Sequence, residues 1–291
     1  RYKTEVEDLK KLNDELMKYE PSEIICNEAF LVSGFDVNDL KSRLHISVNA
    51  LESHMFDDDG CRRILMKHFK VNTLIGLGVE EFPTGLLAAG ALLQYLYDTQ
   101  KTDLEHFTHI YPYLTSKYML LDSSTRRNLE LTETLREKQK RGSLLWVLDK
   151  TKTAMGARLL RNYIEQPLIE KDEMEKRLDA IQELNQDSIS RDEIREYLNP
   201  IYDLERLLSK VTYKTAIPRD LIAFRNSLQM LPPIKTVLSA FEKEELTEIR
   251  EQIDGLEDIY QLIDEAIIDE PPLSIREGGM IKDQFDETID R

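Results

Sequence analysis

The first part of the chain mixes a helical spacing of apolar residues with two short apolar runs. The apolar residues three or four positions apart are Val6, Leu9, Leu12 and Leu16. This spacing predicts an amphipathic helix, whereas the runs Glu23–Cys26 and Ile46–Val48 predict short strands. A helix followed by a strand is typical of an α/β unit. Because two or three short strands are too few to stand alone, we expect only part of an α/β domain here.

The rest of the chain is predicted to be helical. A helix from Thr84 carries small residues such as Gly90, which allow a second helix to approach closely, and we expect it to connect two domains. After Pro112 nearly every segment has helical spacing. Pro218 is suited to the first turn of a helix that runs to Met230. Apolar positions from Leu246 to Ile263 predict one long helix that ends before Pro271-Pro272.

These patterns predict a mainly α protein with a small α/β N-terminal domain. We expect the α/β domain over residues 1–108, a helical domain over residues 109–270 and the start of another helix over residues 271–291. The chain opens at Arg1 without a methionine and stops at Arg291 inside an acidic stretch, so we expect it to be a piece of a longer protein.

Charge excludes several classes of function. The 291 residues include 39 Lys+Arg and 55 Asp+Glu, for a net charge of −16, which disfavours phosphate binding by the whole surface. Nucleic-acid binding then needs a local basic patch or parts outside this chain.

Cys26 and Cys61 form neither a zinc motif nor a disulfide framework. The most apolar stretch, Leu86–Tyr97, is interrupted by Gln94 and is too short to span a membrane.

The sequence lacks the common motifs of an active site. No Gly-Lys dipeptide occurs, so there is no phosphate-binding loop. His106 and His109 have no evident third ligand for a metal. The triplet Asp57–Asp59 is better explained as a loop that caps the next helix than as a metal site. We therefore expect no catalytic residue, no metal site and no cofactor in this chain.

Positive charge gathers in one place. The cluster consists of Arg136, Lys138, Lys140 and Arg141. Arg126 and Arg127 precede it, and Lys150, Lys152, Arg158 and Arg161 extend it. Two explanations stay open: a patch that faces phosphates, and a solvated face balanced by Glu130, Glu133 and Glu137. The nearby Trp146 is predicted to fill a core.

An ordered series of motifs resembles the core domain of the MutS family of DNA mismatch repair proteins. The series contains Leu121–Leu131, Gly142–Leu145, Leu148–Leu160, Pro167-Leu168, Asp203–Arg206, Pro218–Leu221, Pro271-Pro272 and Glu277–Ile281. Upstream, Leu77–Glu80 and Ala88–Tyr95 are similar to the end of the connector domain of the same family. Gln284-Phe285 departs from the family, which often has glycine before the aromatic residue.

The signature residues are predicted to have structural roles. They are Asp122, Thr125, Asn128, Leu129, Glu130, Leu148, Asp149, Thr151, Thr153, Met155, Gly156, Arg158, Leu159, Pro167, Leu168, Leu204, Arg206, Pro218, Asp220 and Leu221. Gly156 lacks a Cβ, so we expect a second helix to pack against it. Thr151 or Thr153 is expected to cap a helix, and Asn128 to form turn hydrogen bonds.

The resemblance implies more than the residues show. It implies a truncated RNase H-like connector, an irregular helical core and the stub of a lever helix that leads to a missing clamp. The parent is then expected to bind mismatched duplex DNA, to hydrolyse ATP with Mg, to form a homodimer and to recruit a MutL-type repair partner. It is expected to act at the nucleoid of a bacterial cytoplasm.

Within such a parent, this chain would be the allosteric link between the DNA-binding and ATPase parts, and not an enzyme itself. The alternative is an acidic helical scaffold for protein interactions, unrelated to DNA.

Overall fold

A computed structural model describes residues 6–19, 21–43, 45–100, 104–112, 117–272 and 277–285. These residues divide into two compact units. The first lies within Arg1–Ser116 and Leu120–Thr125, and the second within Lys117–Met119 and Arg126–Arg291. Both units are mainly helical. None of the helices in the described ranges combines the length and the apolar character needed to cross a membrane.

The first unit has five helices and a small sheet among its described residues. The helices are α1 (Val6–Tyr19), α2 (Glu28–Leu31), α3 (Val37–Arg43), α4 (Asp58–His68) and α5 (Pro83–Gln100), and the strands are β1 (Glu23–Asn27) and β2 (Ser47–Leu51). The strands pair in parallel, with Glu23 opposite Ser47 and Asn27 opposite Leu51. The predicted strands and the helix from Thr84 are therefore confirmed. Asp57 caps α4, because its carboxylate accepts the Gly60 N–H at 2.9 Å, as expected for the acidic triplet.

Two apolar clusters stabilise this unit. One joins the strands to α3 through Cys26, Leu40, Ile46 and Val48. The other joins α4 and α5 to the loop between them and to the segment after α5. Its buried members are Leu65, Leu74, Val79, Leu86, Leu93 and Leu104. Gly90 of α5 lies directly against Cys61 of α4, since a Cβ at Gly90 would lie 2.4 Å from the Cys61 Cβ. Both cysteines are buried free thiols, and burial raises the pKa of each.

Short helix α6 (Ser123–Asn128) runs from the last residues of the first unit into the second. The other helices of the second unit are α7 (Leu144–Leu148), α8 (Ala154–Glu165), α9 (Lys171–Gln186), α10 (Ser188–Leu198), α11 (Leu204–Thr212), α12 (Pro218–Leu228), α13 (Leu231–Leu238), α14 (Glu244–Gln252) and α15 (Glu257–Ala266). Their buried core is formed by Ala180, Ile201, Ile234, Leu238, Phe241 and Leu246.

The single long helix predicted from Leu246 to Ile263 is wrong. The helix ends at Gln252, and a new one begins at Glu257. Between them the Asp254 carboxylate accepts the Leu256 N–H at 3.0 Å, and Leu256 has a left-handed backbone with φ 48°. A side-chain turn of this kind competes with the helix for backbone hydrogen bonds.

The last described segment is attached to α15. Ile281 forms an antiparallel bridge with Ile267, and the Lys282 ammonium donates to the Asp264 carbonyl at 2.5 Å. The predicted lever helix after Phe285 lies outside the described residues. The boundaries at residues 108 and 270 stay predictions.

Candidate functional site

The basic cluster lies on a closed loop, residues 134–142, which we call the cationic loop. The Thr134 N–H donates to the Gln139 carbonyl at 3.0 Å, and the Lys138 N–H donates to the Thr134 carbonyl at 3.1 Å. Gly142 has φ 96°, and a Cβ there would lie 3.1 Å from the Thr134 methyl group. The two ends of the loop therefore meet, and glycine is favoured at the turn that closes it.

A buried hydroxyl group supports the base of the cationic loop. Ser143 is 1% exposed; its Oγ donates to the Lys140 carbonyl at 2.7 Å and accepts the Trp146 N–H at 3.2 Å. It thereby caps α7. The site residues predicted from the sequence do not include Ser143, although a serine just before the apolar run Leu144–Leu148 is a typical helix-start signal.

The signature residue Glu130 holds the other side of the loop base. Its carboxylate accepts the Leu135 N–H at 2.7 Å, and its backbone carbonyl accepts the Leu144 N–H at 3.0 Å. Glu130 itself has φ 47°, a backbone conformation that costs energy in a residue other than glycine. Its carboxylate is engaged in holding the loop and pairs with no lysine or arginine of the described residues.

The structure divides the four predicted patch residues into two kinds. Arg136, Lys138 and Arg141 are exposed and make no ion pair with any described residue. Lys140 instead pairs with the Asp149 carboxylate. The phosphate-facing patch stays a prediction, in which Lys140 differs from the other three residues because its ammonium group already has a carboxylate partner.

Asp149 is a junction between the loop and the start of α8. Its carboxylate accepts from Lys140, and also from the Thr151 hydroxyl at 2.6 Å and the Thr151 N–H at 3.2 Å. These donors, Lys140 first, lower the pKa of Asp149 to about 2. Asp149 and Thr151 therefore fasten the turn between α7 and α8.

Trp146 does not fill a core, contrary to the prediction. Its side chain is 48% exposed, because α7 has only five residues and buries only Leu145 among them. The signature residue Leu148 is half exposed in the same helix, as are Leu129 before the loop and Leu159 in α8.

The expectation for Gly156 is also wrong. A Cβ there would meet Thr153 Oγ1 at 3.1 Å and the Thr151 side chain at 3.6 Å, not a second helix. Thr153 is the cap of α8, since its Oγ1 accepts the Gly156 N–H at 3.0 Å. Gly156 therefore leaves room for the capping side chain. The neighbouring Met155 packs against the core of the second unit.

Arg158 connects α8 to α11. Its guanidinium donates to both carboxylate oxygens of Asp203 at 2.8 Å and also to Glu205 at 2.5 Å. The hydrogen bonds from Arg158 lower the pKa of Asp203. Asp203 also accepts the Arg206 N–H at the start of α11, beside Leu204, which packs on the core. Arg158 is thus engaged within the protein.

The remaining signature residues organise other turns. Asp122 accepts the Thr125 N–H at 2.7 Å. Asn128 is exposed at the end of α6, and its side chain makes none of the expected turn hydrogen bonds with a described residue. The Met119 N–H donates to the Pro167 carbonyl at 2.8 Å, beside a bridge between Tyr118 and Leu168.

At the start of α12, Pro218 occupies the first turn, followed by the half-buried Leu221. The Asp220 carboxylate accepts the Ile217 N–H at 3.1 Å and the Lys210 ammonium at 2.8 Å. Burial alone would raise the pKa of Asp220, but these donors hold it below its ordinary value.

The site consists of exposed cations on a structural frame of caps, turns and ion pairs. Within the described ranges, no three His, Cys, Asp or Glu side chains come together as a metal site. The signature side chains cap helices, close turns and form internal ion pairs. Arg136, Lys138 and Arg141 are the predicted patch residues whose charges face solvent unpaired.

Two family models match the chain. Residues 2–108 match MutS domain II, and residues 124–290 match MutS domain III. The chain is 59% identical over 289 residues to a Lachnoclostridium phytofermentans protein named DNA mismatch repair protein MutS, covering 99% of this chain and 31% of that protein.

Relatives of the same name occur in Ruminiclostridium cellulolyticum, at 47% identity over 97% of this chain and 32% of the relative, and in Caldanaerobacter subterraneus, at 43% identity over 100% of this chain and 33% of the relative. The chain thus spans about a third of the length of these curated relatives.

Proposed function

We propose that this chain, which belongs to the MutS family of DNA mismatch repair proteins, is the connector and core region that couples DNA binding to ATP hydrolysis in a longer protein. The observation that carries the proposal is the match of two consecutive MutS domains along nearly the whole chain, in a sequence without a phosphate-binding loop. This match favours the mismatch-repair role over a scaffold unrelated to DNA.

The longer protein would supply the chemistry. In this proposal it binds mismatched duplex DNA, hydrolyses ATP with Mg, forms a homodimer and recruits a MutL-type partner. The first unit would be the remaining part of an RNase H-like connector, which agrees with its parallel strand pair. Residues 109–270 would form the core, and residues 271–291 would lead into a lever helix.

The internal ion pairs of the second unit support a transmitting role. The segment around Ile281 is bridged to the end of α15. Arg225 of α12, only 12% exposed, donates to Asp264 in α15 and to Asp269 beyond it, both at 2.8 Å. A displacement of the last described segment would therefore act on α12 through charged hydrogen bonds. Coupling between distant sites requires an element whose arrangement both sites bias.

Substitution of Arg225 in the full-length protein tests the coupling. We expect Arg225→Met to reduce the stimulation of ATP hydrolysis by mismatched duplex, with basal hydrolysis unchanged. Arg250→Met on α14 is the matched control, because the one acidic partner of Arg250 among the described residues is Glu251, its neighbour in sequence, at 4.0 Å. Equal stimulation in the Arg225 and Arg250 variants would contradict a transmitting role for this contact.

The chain on its own tests where the chemistry lies. We expect residues 1–291 to hydrolyse no ATP and to bind duplex DNA weakly, with no preference for a mismatch. Fluorescence anisotropy on matched and mismatched duplexes measures the binding. ATP turnover by the isolated chain, or a preference for the mismatch of tenfold or more, would overturn the proposal.

A further inference from the structure

We propose that the cationic loop binds the phosphate backbone of duplex DNA without reading its sequence. This inference rests on the proposed function, because it assumes that the longer protein acts on DNA. It adds a DNA contact within the core region, carried by Arg136, Lys138 and Arg141.

The first support is that these three charges are available. The loop contains four cations and one acid, Glu137, in a chain whose net charge is −16. Many other cations of the second unit are engaged internally, as Arg158 is with Asp203. When an unpaired cation neutralises a phosphate, counterions condensed on the DNA are released, and this release is the main source of sequence-independent affinity for DNA.

The second support is the fixed backbone beneath the charges. The contact between Thr134 and Gln139 closes the loop, and the buried Ser143 hydroxyl holds its base. Lys140 binds Asp149 and so anchors the loop to the end of α7. A loop that is already ordered loses less conformational entropy when it binds. Lys140 therefore has an anchoring role, while its three neighbours in the loop remain free for a ligand.

The third support is a continuation of the same charge beside the anchor. Lys150 and Lys152 follow Asp149, are exposed and make no ion pair with a described residue. The Arg195 guanidinium donates to the Lys150 carbonyl at 3.3 Å, which brings a further cation to this turn. Contacts of this kind with phosphates would fix the position of the duplex on the protein.

The composition of the loop favours a phosphate backbone over an acidic protein partner. The six residues that carry its charges, 136–141, contain no apolar side chain, and Leu135 at the edge of the loop is its one exposed large apolar residue. Protein interfaces, in contrast, have apolar and aromatic residues at their centres. The acidic remainder of the chain would repel a duplex, so contact would be confined to the loop and its continuation.

A triple variant of the full-length protein tests the proposal. We would combine Arg136→Gln, Lys138→Gln and Arg141→Gln, and measure the Kd for matched and mismatched duplexes at a series of NaCl concentrations. The expected slope of log Kd against log salt falls by about 0.9 for each lost phosphate contact, or about 2.7 in total. Matched and mismatched duplexes should lose affinity by the same factor, because backbone contacts do not distinguish them.

The control variant removes three unpaired charges from three different segments, α3, α4 and the turn after α11. It combines Lys41→Gln, Lys67→Gln and Lys214→Gln, whose side chains are exposed and make no ion pair with a described residue. It changes the net charge as much as the loop variant does, but we expect its salt slope to equal that of the wild type. Thermal unfolding of residues 1–291 that carry each set of substitutions, followed by the fluorescence of Trp146, the one tryptophan of this sequence, checks that the second unit remains folded.

The possible results separate this inference from the proposed function. If the wild-type protein does not bind duplex DNA, the proposed function fails. If the wild type binds and the loop variant has the same salt slope as the control, only the loop proposal is overturned. A loop variant that loses affinity only for the mismatched duplex also overturns the loop proposal. So does a loop variant that loses affinity only for an acidic polypeptide such as polyglutamate.

Discussion

The close approach of α4 and α5 leads to a quantitative prediction at Gly90. A methyl group at this buried position would lie 2.4 Å from the Cys61 Cβ and 2.6 Å from the Cys61 Cα. Both distances are about 1 Å shorter than ordinary carbon contacts. Because one of the two atoms belongs to the backbone, a side-chain rotation cannot relieve the clash, and the helices must move apart.

The magnitude follows from two opposing terms. Overpacking a core costs about 1–3 kcal/mol, and we expect the upper part of that range because backbone must move. Alanine is better than glycine inside a helix by about 1 kcal/mol, which offsets part of the cost. Gly90→Ala should therefore lower the free energy of unfolding of the first unit by about 1–2 kcal/mol.

Gly85 provides a control in the same helix. A Cβ there would lie 3.5 Å from the Phe82 Cβ, an ordinary contact, so Gly85→Ala retains the gain in helix propensity without the clash. We expect it to stabilise the unit by about 0.5–1 kcal/mol.

Hydrogen exchange measured by mass spectrometry on peptides from α4 and α5 reports the stability of this unit directly, and urea unfolding followed by far-UV circular dichroism provides an independent measurement. If Gly90→Ala is as stable as Gly85→Ala, the inferred backbone contact is incorrect.

Three further predictions concern the frame of the second unit, each measured by urea unfolding with Trp146 fluorescence. Asp149→Asn should lower the free energy of unfolding by about 1 kcal/mol at pH 7. A pKa of about 2 would imply ~2.4 kcal/mol, but the lysine partner is half exposed, so solvent weakens the interaction. Since that pKa is lowered, the wild type should lose this stabilisation as the pH falls from about 4 through about 2, and the variant should not; parallel pH profiles would contradict this. Thr153→Ala should cost about 1 kcal/mol and Thr153→Ser much less, because serine retains the capping oxygen; equal losses would exclude the cap. Arg158→Met should lower the urea midpoint of unfolding more than Arg161→Met does, because the pair of Arg161 with Glu165 lies within one helix; equal midpoints would show that the contact of Arg158 with Asp203 contributes little.

Local signals in the sequence predicted much of the fold. The period of apolar residues indicated the helices, and the short apolar runs indicated the strands, because both patterns reflect the geometry of a single element. Helix caps at Asp57 and Thr153 were predictable for the same reason. The break before α15 also had a local signal, the Asp254-Gly255 pair, but the continuous apolar spacing concealed it.

Contacts between residues more than one helical turn apart decided the candidate site. The spacing of Lys138, Lys140 and Arg141 does not reveal that Lys140 alone meets an acid, because Asp149 reaches it only through the turn that follows α7. The exposure of Trp146 likewise depends on what packs beside α7, and not on its apolar neighbours in sequence.

The sequence by itself determined the family, the mainly helical class and the gathering of positive charge between residues 136 and 141. The tertiary structure decided which of those charges are free, which glycine contacts another helix and which provides space for a cap. Periodicity and capping depend on residues within about one helical turn. Ion pairing and close helix packing depend on residues brought together by the whole fold, so a pattern along one segment cannot determine them.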